Sequence, residues 1–284
     1  MNVISAQSRD ADGLSVSIVV YRPDAAQLEQ TLASLGAACV RLRAASPGCP
    51  IDLLLVDNGG LGEFGGLGAV TDRLRAQGVT CQVLTGHGNV GYGRGHNLAI
   101  ALSTRPLHLI LNPDIDLDAQ ALIAARKFFD SHSDAGALAP RIGDESGGPQ
   151  YLCRRYPSII DLLVRGFLPA RFRQPFTNRL ARYEMRDVIN DRDIVWDPPI
   201  VSGCFMLFRT DVLKKLGGFD PRYFLYFEDY DLSLRTHDVA RVAYVPSVRV
   251  VHHGGGASRK GFAHIRMFAA SAFKFYNRFG WRWW

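Results

Sequence analysis

The sequence predicts an α/β fold: a Rossmann-like, mostly parallel central sheet flanked by helices, followed by a C-terminal helical segment. Three observations carry this. Over the first ~120 residues, β-branched apolar runs alternate with stretches of helical spacing, the pattern of a parallel sheet with helices on both faces. Polar residues fall just past the ends of those runs, where such sheets hold their ligands. Further along, the alternation loosens, and the chain closes on an amphipathic stretch rich in aromatic residues.

Residues 14–21 (LSVSIVVY) read as a buried strand. Arg22-Pro-Asp24 breaks it, and Asp24 is placed to cap a helix over 25–45 that carries Leu28, Leu32 and Leu35 on one face. A second strand over 51–56 ends in Asp57-Asn58-Gly-Gly. A helix near 69–77, a strand over 80–84, a short helix over 96–103 and a strand over 107–111 follow. Residues 119–131 read as a helix, 135–142 as a short strand and 143–149 as a turn. Residues 150–195 are basic, with weak periodicity. Strand character resumes over 200–209, then short helices over 211–216 and 227–236 and short strands over 241–245 and 248–252. A last helix over 262–279 places Phe262, Ile265, Ala269, Ala272, Phe273, Tyr276 and Phe279 along one stripe. The organisation expected is a flexible lead (1–13), one domain (14–258) in two halves that meet near residue 120, and a C-terminal amphipathic helix (259–284) that belongs to the domain or touches a membrane.

The 284 residues suffice for a substantial core, and 47% hydrophobic with 21% charged residues is ordinary for a globular protein. The net charge of +6 suits a solvated surface, anionic ligands such as nucleotides, or an anionic membrane face. Five scattered cysteines with no C-x-x-C pair indicate neither a zinc site nor a disulfide framework, and point to a reducing cytoplasm. The N-terminus does not read as a secretory signal, and no segment approaches ~18 uninterrupted apolar residues. No nucleic-acid-binding motif is recognisable, and the basic residues are spread out.

Two acidic clusters follow apolar runs. Asn112-Pro-Asp114-Ile-Asp116 ends one strand, with Asp114 free to point into a cleft. Hard divalent cations such as Mg²⁺ or Mn²⁺ take oxygen ligands of this kind and bridge to a diphosphate. Asp116 or Asp118 caps the following helix in the plainer alternative. Glu228-Asp229, after the aromatic run Tyr223-Phe-Leu-Tyr-Phe227, offers a carboxylate to accept a proton from an attacking hydroxyl, Asp229 preferred. The alternative is a capping box or an ion pair with Arg222 or Arg235. Asp231 reads as structural. His252-His253 before three glycines suggests an exposed turn where an imidazole, His252 first, joins a metal shell. The run Asn89-Val-Gly91-Tyr-Gly93-Arg94-Gly95-His-Asn97 breaks the dinucleotide frame at His96, which leaves a tight turn or a loop against a nucleotide-sugar with Arg94 near phosphate. Two basic aromatic stretches, 159–183 and 260–284, suit either core packing or a membrane interface.

The ordered set SIVVYRPD, LLLVDNGG, GNVGYGRGHNLAI, LNPDIDL, SGCFMLFRTDVLKKLGGFDPRYFLYFEDYDLSLR and VVHHGGGAS, over residues 14–258, resembles the inverting GT-A-type family 2 glycosyltransferases, in their bacterial rhamnosyltransferase-like branch. The resemblance implies a GT-A (nucleotide-diphospho-sugar transferase) fold. It also implies a nucleotide-sugar site drawn from Tyr21, Arg22, Asp57, Asn58, Gly91, Arg94, Asn97, Asn112 and Asp114. Asp114 and His252 would be the contacts to Mg²⁺ or Mn²⁺, and Asp229, beside Glu228, the general base. Asn112 stands where many relatives carry the first acid of D-x-D, and Gly59-Gly60 where they carry a small residue and Ser. The implied activity moves a sugar, L-rhamnose from dTDP-L-rhamnose first, onto O-antigen, lipopolysaccharide core or a polyprenyl-diphosphate-linked saccharide at the cytoplasmic face of the inner membrane. A UDP-hexose or UDP-galactofuranose donor, or a non-catalytic nucleotide-sugar-binding subunit, are the alternatives.

Overall fold

The computed structural model describes residues 12–254 and 261–284. Residues 1–11 of the expected flexible lead, and 255–260 of the glycine-rich motif after His253, lie outside the described residues. The first half forms β1 (Leu14–Val20), α1 (Ala25–Ala45), β2 (Ile51–Asp57), α2 (Leu67–Ala76), β3 (Val79–Leu84), α3 (Tyr92–Leu102) and β4 (Leu107–Leu111). Then come β5 (Ile115–Leu117), α4 (Ala121–Ser131), β6 (Ala135–Gly143), α5 (Ile159–Phe167), α6 (Thr177–Tyr183), β7 (Val195–Trp196) and β8 (Phe205–Arg209). The chain ends with α7 (Thr210–Lys215), α8 (Glu228–Thr236), β9 (Arg241–His252) and α9 (Phe262–Phe279).

One sheet runs in the order β3-β2-β1-β4-β8-β6-β9-β5, with β7 paired to β9. β3, β2, β1 and β4 are mutually parallel. Every residue of β1 and β4 is buried, as expected of strands covered on both faces. Past β4 the sheet becomes mixed: β8 runs antiparallel to β4 and β6, β9 parallel to β6, and β5 antiparallel to β9. The parallel expectation thus describes the first half.

Asp24 caps α1 as read, its carboxylate accepting from the Gln27 amide at 3.0 Å. Other boundaries moved for physical reasons. α3 starts at Tyr92, four residues earlier than read, because Gly93 and Gly95 are helical packing positions and not loop: a methyl on Gly93 would meet Phe219, and one on Gly95 would meet Val19 of β1. The two strands read at 241–245 and 248–252 are one, β9, with a register shift against β6 between Pro140 and Arg141. Strand β8 begins only at Phe205; Ile200 makes a single bridge to Arg154. Helices α5 and α6 lie inside the stretch with weak periodicity. The stripe read on α9 is rotated in part: Ala272, Tyr276 and Phe279 face the protein as read, joined by Phe268, Ser271 and Phe275, while Phe262, Ile265, Ala269 and Phe273 are exposed.

Beneath the sheet runs a buried polar chain. Ser15 Oγ meets His108 Nδ1 at 2.7 Å, Ser17 Oγ meets His108 Nε2 at 2.9 Å, and Ser17 also meets His96 Nδ1 at 2.8 Å. Burial holds both imidazoles neutral, His108 down at about 3, with the charge of Lys214 adding to the effect. A base held below its unfolded value contributes stability present above ~6.5 and lost as pH falls toward the folded value. Thermal melting should therefore drop between pH 7 and 4 more steeply in the wild type than in His108→Asn, the gap between them narrowing with acidity. Parallel melting curves would contradict this account of the histidines.

Candidate active site

The residues past β1 and β2 form one rim. Arg22, at φ 46°, donates its amide to Gly59 O at 2.7 Å, and its guanidinium lies over the exposed Tyr21 ring. Asp57 Oδ1 accepts the Gly59 and Leu61 amides at 2.8 and 3.2 Å, which turns the chain sharply after β2. Several residues read as nucleotide contacts instead have polar atoms engaged within the protein. Buried Asn58 donates to Gly91 O at 3.0 Å and meets His87 at 3.2 Å. Asn97 donates to Phe219 O and accepts from Phe219 N. Gly91 is buried against the Phe224 carbonyl, where a side chain would collide. These three shape the site by packing. Arg94 is exposed on α3 and donates to Pro221 O at 2.6 Å.

Asp114 lies between β4 and β5, facing the end of β9. Its Oδ2 stands 3.6 Å from His252 Nε2, beyond a hydrogen bond, and its buried Oδ1 has no partner among the described residues. Burial pushes this carboxyl up, but His252, its own backbone and Asn112 outweigh it and hold it below its usual value. Gln150 fixes the imidazole. Its Nε2 donates to His252 O at 2.9 Å, and because a carbonyl only accepts, its Oε1 must face His252 Nδ1, also at 2.9 Å. Nδ1 therefore donates to Gln150, which turns Nε2 toward Asp114. Gly254 leaves the space beside both atoms open; a methyl there would strike Asp114 Oδ2 and His252 Nε2. An unpaired carboxylate oxygen beside an imidazole nitrogen, with Gly254 leaving room, fits a divalent cation. No group of three or more His, Cys, Asp or Glu suited to a metal occurs among the described residues, so two protein ligands would leave the remaining positions to diphosphate oxygens and water. His253 turns elsewhere, bonded to Asp116 and Glu145 at 2.7 Å each. Asp116 is thus a histidine partner, and neither it nor Asp118 caps α4: the N-cap is Gln120 without a side-chain bond, and Asp118 accepts the Gln120 amide in the turn before it.

Glu228 and Asp229 open α8 after two residues in the left-handed region, Tyr226 at φ 71° and Phe227 at φ 65°. Such backbone costs on the order of 1 kcal/mol or more per residue. Aromatic packing holds it: Phe227 stacks against Phe268 and Phe275 at 5.1 and 5.2 Å, and Ser271 of α9 donates to Leu225 O. The ion pair expected as an alternative is absent here, since Arg235 pairs with Asp231 and Arg222 with Asp220. Asp229 instead accepts two backbone amides, Gly203 at 3.0 Å and Tyr230 at 2.9 Å. Burial raises its pKa against these bonds and against Arg154. Glu228 has a buried oxygen with no partner; burial, then Asp229, raises it to about 8. Of the pair, Glu228 is the acid that burial and its neighbour drive toward the protonated form, while the amides of Gly203 and Tyr230 favour charge on Asp229.

The two acidic clusters meet at the turn before β8. Asn112 donates its amide to Cys204 O at 2.9 Å, while the adjoining Gly203 amide holds Asp229. Tyr92 donates to Gly203 O at 2.6 Å; burial first, then Glu228, Cys204, Asp229 and Asp114, keeps its phenol protonated. Glu228 and Asp229 line a cleft of about 700 Å³ between α5, α6 and α9, with Arg165, Arg173 and Arg186 on its wall. Those arginines and Gln150 were not singled out from the sequence as site residues. They lie in loops and short helices whose spacing carries no signal until the fold gathers them.

No protein-family model matches the chain. It is 31% identical over 255 residues, 85% of this chain and 76% of the other, to an N-acetylglucosaminyl-diphospho-decaprenol L-rhamnosyltransferase of Mycobacterium tuberculosis. It is 28% identical to rhamnosyltransferase WbbL of Escherichia coli, over 67% of this chain and 72% of the other. Among solved structures, S. aureus TarS 1–349 superposes with a TM-score of 0.55 at 15% identity, over 91% of this chain and 65% of that one. GalNAc-T7 with UDP, GalNAc and Mn²⁺ gives 0.59 at 14%, over 85% and 43%. The chain thus spans about three quarters of its sequence relatives and two thirds or less of these two structures.

Because Glu228 rises from 4.5 to about 8, the folded protein keeps a proton the unfolded chain releases, and stability falls as pH rises through that window. Glu228→Gln should melt higher than wild type at pH 8–9, with the advantage gone near pH 4.5. An advantage independent of pH would show that the carboxyl is ionised in the fold.

Proposed function

The chain belongs to the rhamnosyltransferase-like branch of the GT-A glycosyltransferases, and from that membership and the paired acids of the cleft we propose an inverting, cation-dependent transfer of L-rhamnose from dTDP-L-rhamnose to a diphosphate-linked saccharide. The observation that carries the mechanism is the pairing of a neutral Glu228 with an Asp229 whose oxygens are aimed by the Gly203 and Tyr230 amides. Asp229 takes the proton from the acceptor hydroxyl, which attacks the anomeric carbon from the face opposite the leaving diphosphate. One displacement inverts the configuration, so no enzyme nucleophile is required. Glu228, protonated, avoids a second negative charge beside the base.

Asp114 and His252 are the residues suited to a cation, with Gln150 fixing the ring. A divalent cation held there would neutralise charge on the departing nucleoside diphosphate. We assign the nucleotide base to Asp57, on the rim after β2. The rhamnose donor and lipid-linked acceptor are supported by the activity for which the M. tuberculosis relative is named. No described helix is long and apolar enough to cross a membrane, and we assign the acceptor to the cytoplasmic membrane face on the strength of the exposed aromatic residues of α5 and α9.

Asp229→Asn should bind donor normally and lose transfer by roughly 10²–10⁴-fold; near-normal transfer would refute the base assignment. In a thermal-shift panel of nucleotide-sugars with and without Mn²⁺, dTDP-L-rhamnose should raise the melting temperature most, and Asp114→Ala should abolish the Mn²⁺ increment. A larger shift with UDP-linked sugars would replace the donor assignment.

A further inference from the structure

The two left-handed residues before α8 are held by unlike means. Phe227 is 4% exposed and packed by Phe268 and Phe275. Tyr226, at φ 71°, is only half-buried and lines the cleft together with Glu228 and Asp229. Burial of its ring therefore offsets less of its backbone cost. It has a polar attachment instead: its Oη stands 2.8 Å from Nδ1 of His264, in the first turn of α9. The two rings meet edge-on with centroids 6.1 Å apart, and the Tyr226 ring also packs on Phe268 at 5.6 Å.

This contact completes a pattern. Ser271 holds the Leu225 carbonyl at 2.8 Å, His264 and Phe268 hold Tyr226, and Phe268 and Phe275 hold Phe227. Positions 264, 268, 271 and 275 have the spacing of one helix face. Three successive residues of the turn thus rest on one face of α9, and the Phe227 carbonyl then accepts the Asp231 amide at 2.9 Å to start α8. A chain free to leave the left-handed region at Tyr226 would swing the first residues of α8, where Asp229 meets the Gly203 and Tyr230 amides. One hydrogen bond and one left-handed residue are comparable in free energy, so a single such bond can decide the conformation. We infer that His264 is a positioning residue for the base: through the Tyr226 hydroxyl it clips the turn that aims Asp229, without touching a reacting atom. This deepens the transferase reading and rests on it for the role of Asp229.

The test compares His264→Leu, Tyr226→Phe, their double variant and His264→Asn in the full chain. Transfer is measured from dTDP-L-rhamnose to N-acetylglucosaminyl-diphospho-farnesol with Mn²⁺, and hydrogen exchange is followed over residues 225–231. His264→Leu and Tyr226→Phe should each lower kcat roughly 10–100-fold with KM for the donor unchanged. The double variant should lose no more than either single, because both remove the same bond. His264→Asn, which keeps a polar atom near the place of Nδ1, should recover most of the rate. Tyr226→Phe keeps the ring packing and decides the matter if His264→Leu does not fold. Unchanged kcat, losses that add in the double variant, a rise in donor KM in place of the fall in kcat, or His264→Asn no better than His264→Leu would each overturn the inference. If wild type transfers nothing, the transferase assignment falls and exchange alone judges the clip. Faster exchange over 225–231 in both single variants upholds it, and unchanged exchange overturns it.

Discussion

Two neighbouring peptide units hold the site together. The amide of Gly203 fixes Asp229 and the carbonyl of Cys204 receives Asn112, so the turn before β8 ties the end of the parallel block to the start of α8. Residues more than a hundred positions apart thereby share one rigid reference. Tyr92 adds a third tether through the Gly203 carbonyl, in the peptide between those two. Position 203 is crowded: a methyl there would press on Asp229 Cβ at 3.1 Å and on the Tyr92 ring at 3.5 Å. Glycine is what lets the strand, the helix and the tyrosine converge without a gap.

The electrostatics follow from that convergence. Two adjacent carboxylates in a buried site do not both ionise easily. Asp229 has two backbone donors to stabilise its charge and Glu228 has none for its buried oxygen, so the proton settles on Glu228. The left-handed pair Tyr226-Phe227 that aims both acids is unfavourable alone, and the aromatic cluster with α9 holds it in place. The C-terminal helix thus braces the turn that presents Glu228 and Asp229; its exposed face is a separate matter from its buried one.

Much of this was legible in the sequence, unevenly. The parallel block, the Asp24 cap and the last helix are set by local periodicity and capping, and were read almost to the residue. Asp114, His252 and Glu228-Asp229 were legible as acids and imidazoles at the ends of apolar runs. Their pairings were not, because Gln150 against His252 and Asp116 against His253 are set by β9 lying between β6 and β5. The glycines of 91–95 were read as a tight turn or a ligand loop; what spacing could not show is that Gly93 and Gly95 lie inside α3 and that all three pack closely, against Phe224, Phe219 and Val19. The rotated stripe of α9 reflects a helix whose apolar residues exceed one face, so spacing alone could not choose which side packs.

Strand order also sets when the site comes into being. β5, which follows Asp114, pairs only with β9, and β9 is the last strand made. A ribosome-bound chain can complete β3-β2-β1-β4 early, since those strands are consecutive in synthesis and mutually paired. Asp114 nevertheless waits more than a hundred further residues for His252, and α9 arrives later still to brace Glu228 and Asp229. Asp114 and His252 therefore cannot meet until translation is nearly finished, and a chain cut short anywhere before β9 would carry the parallel block without His252.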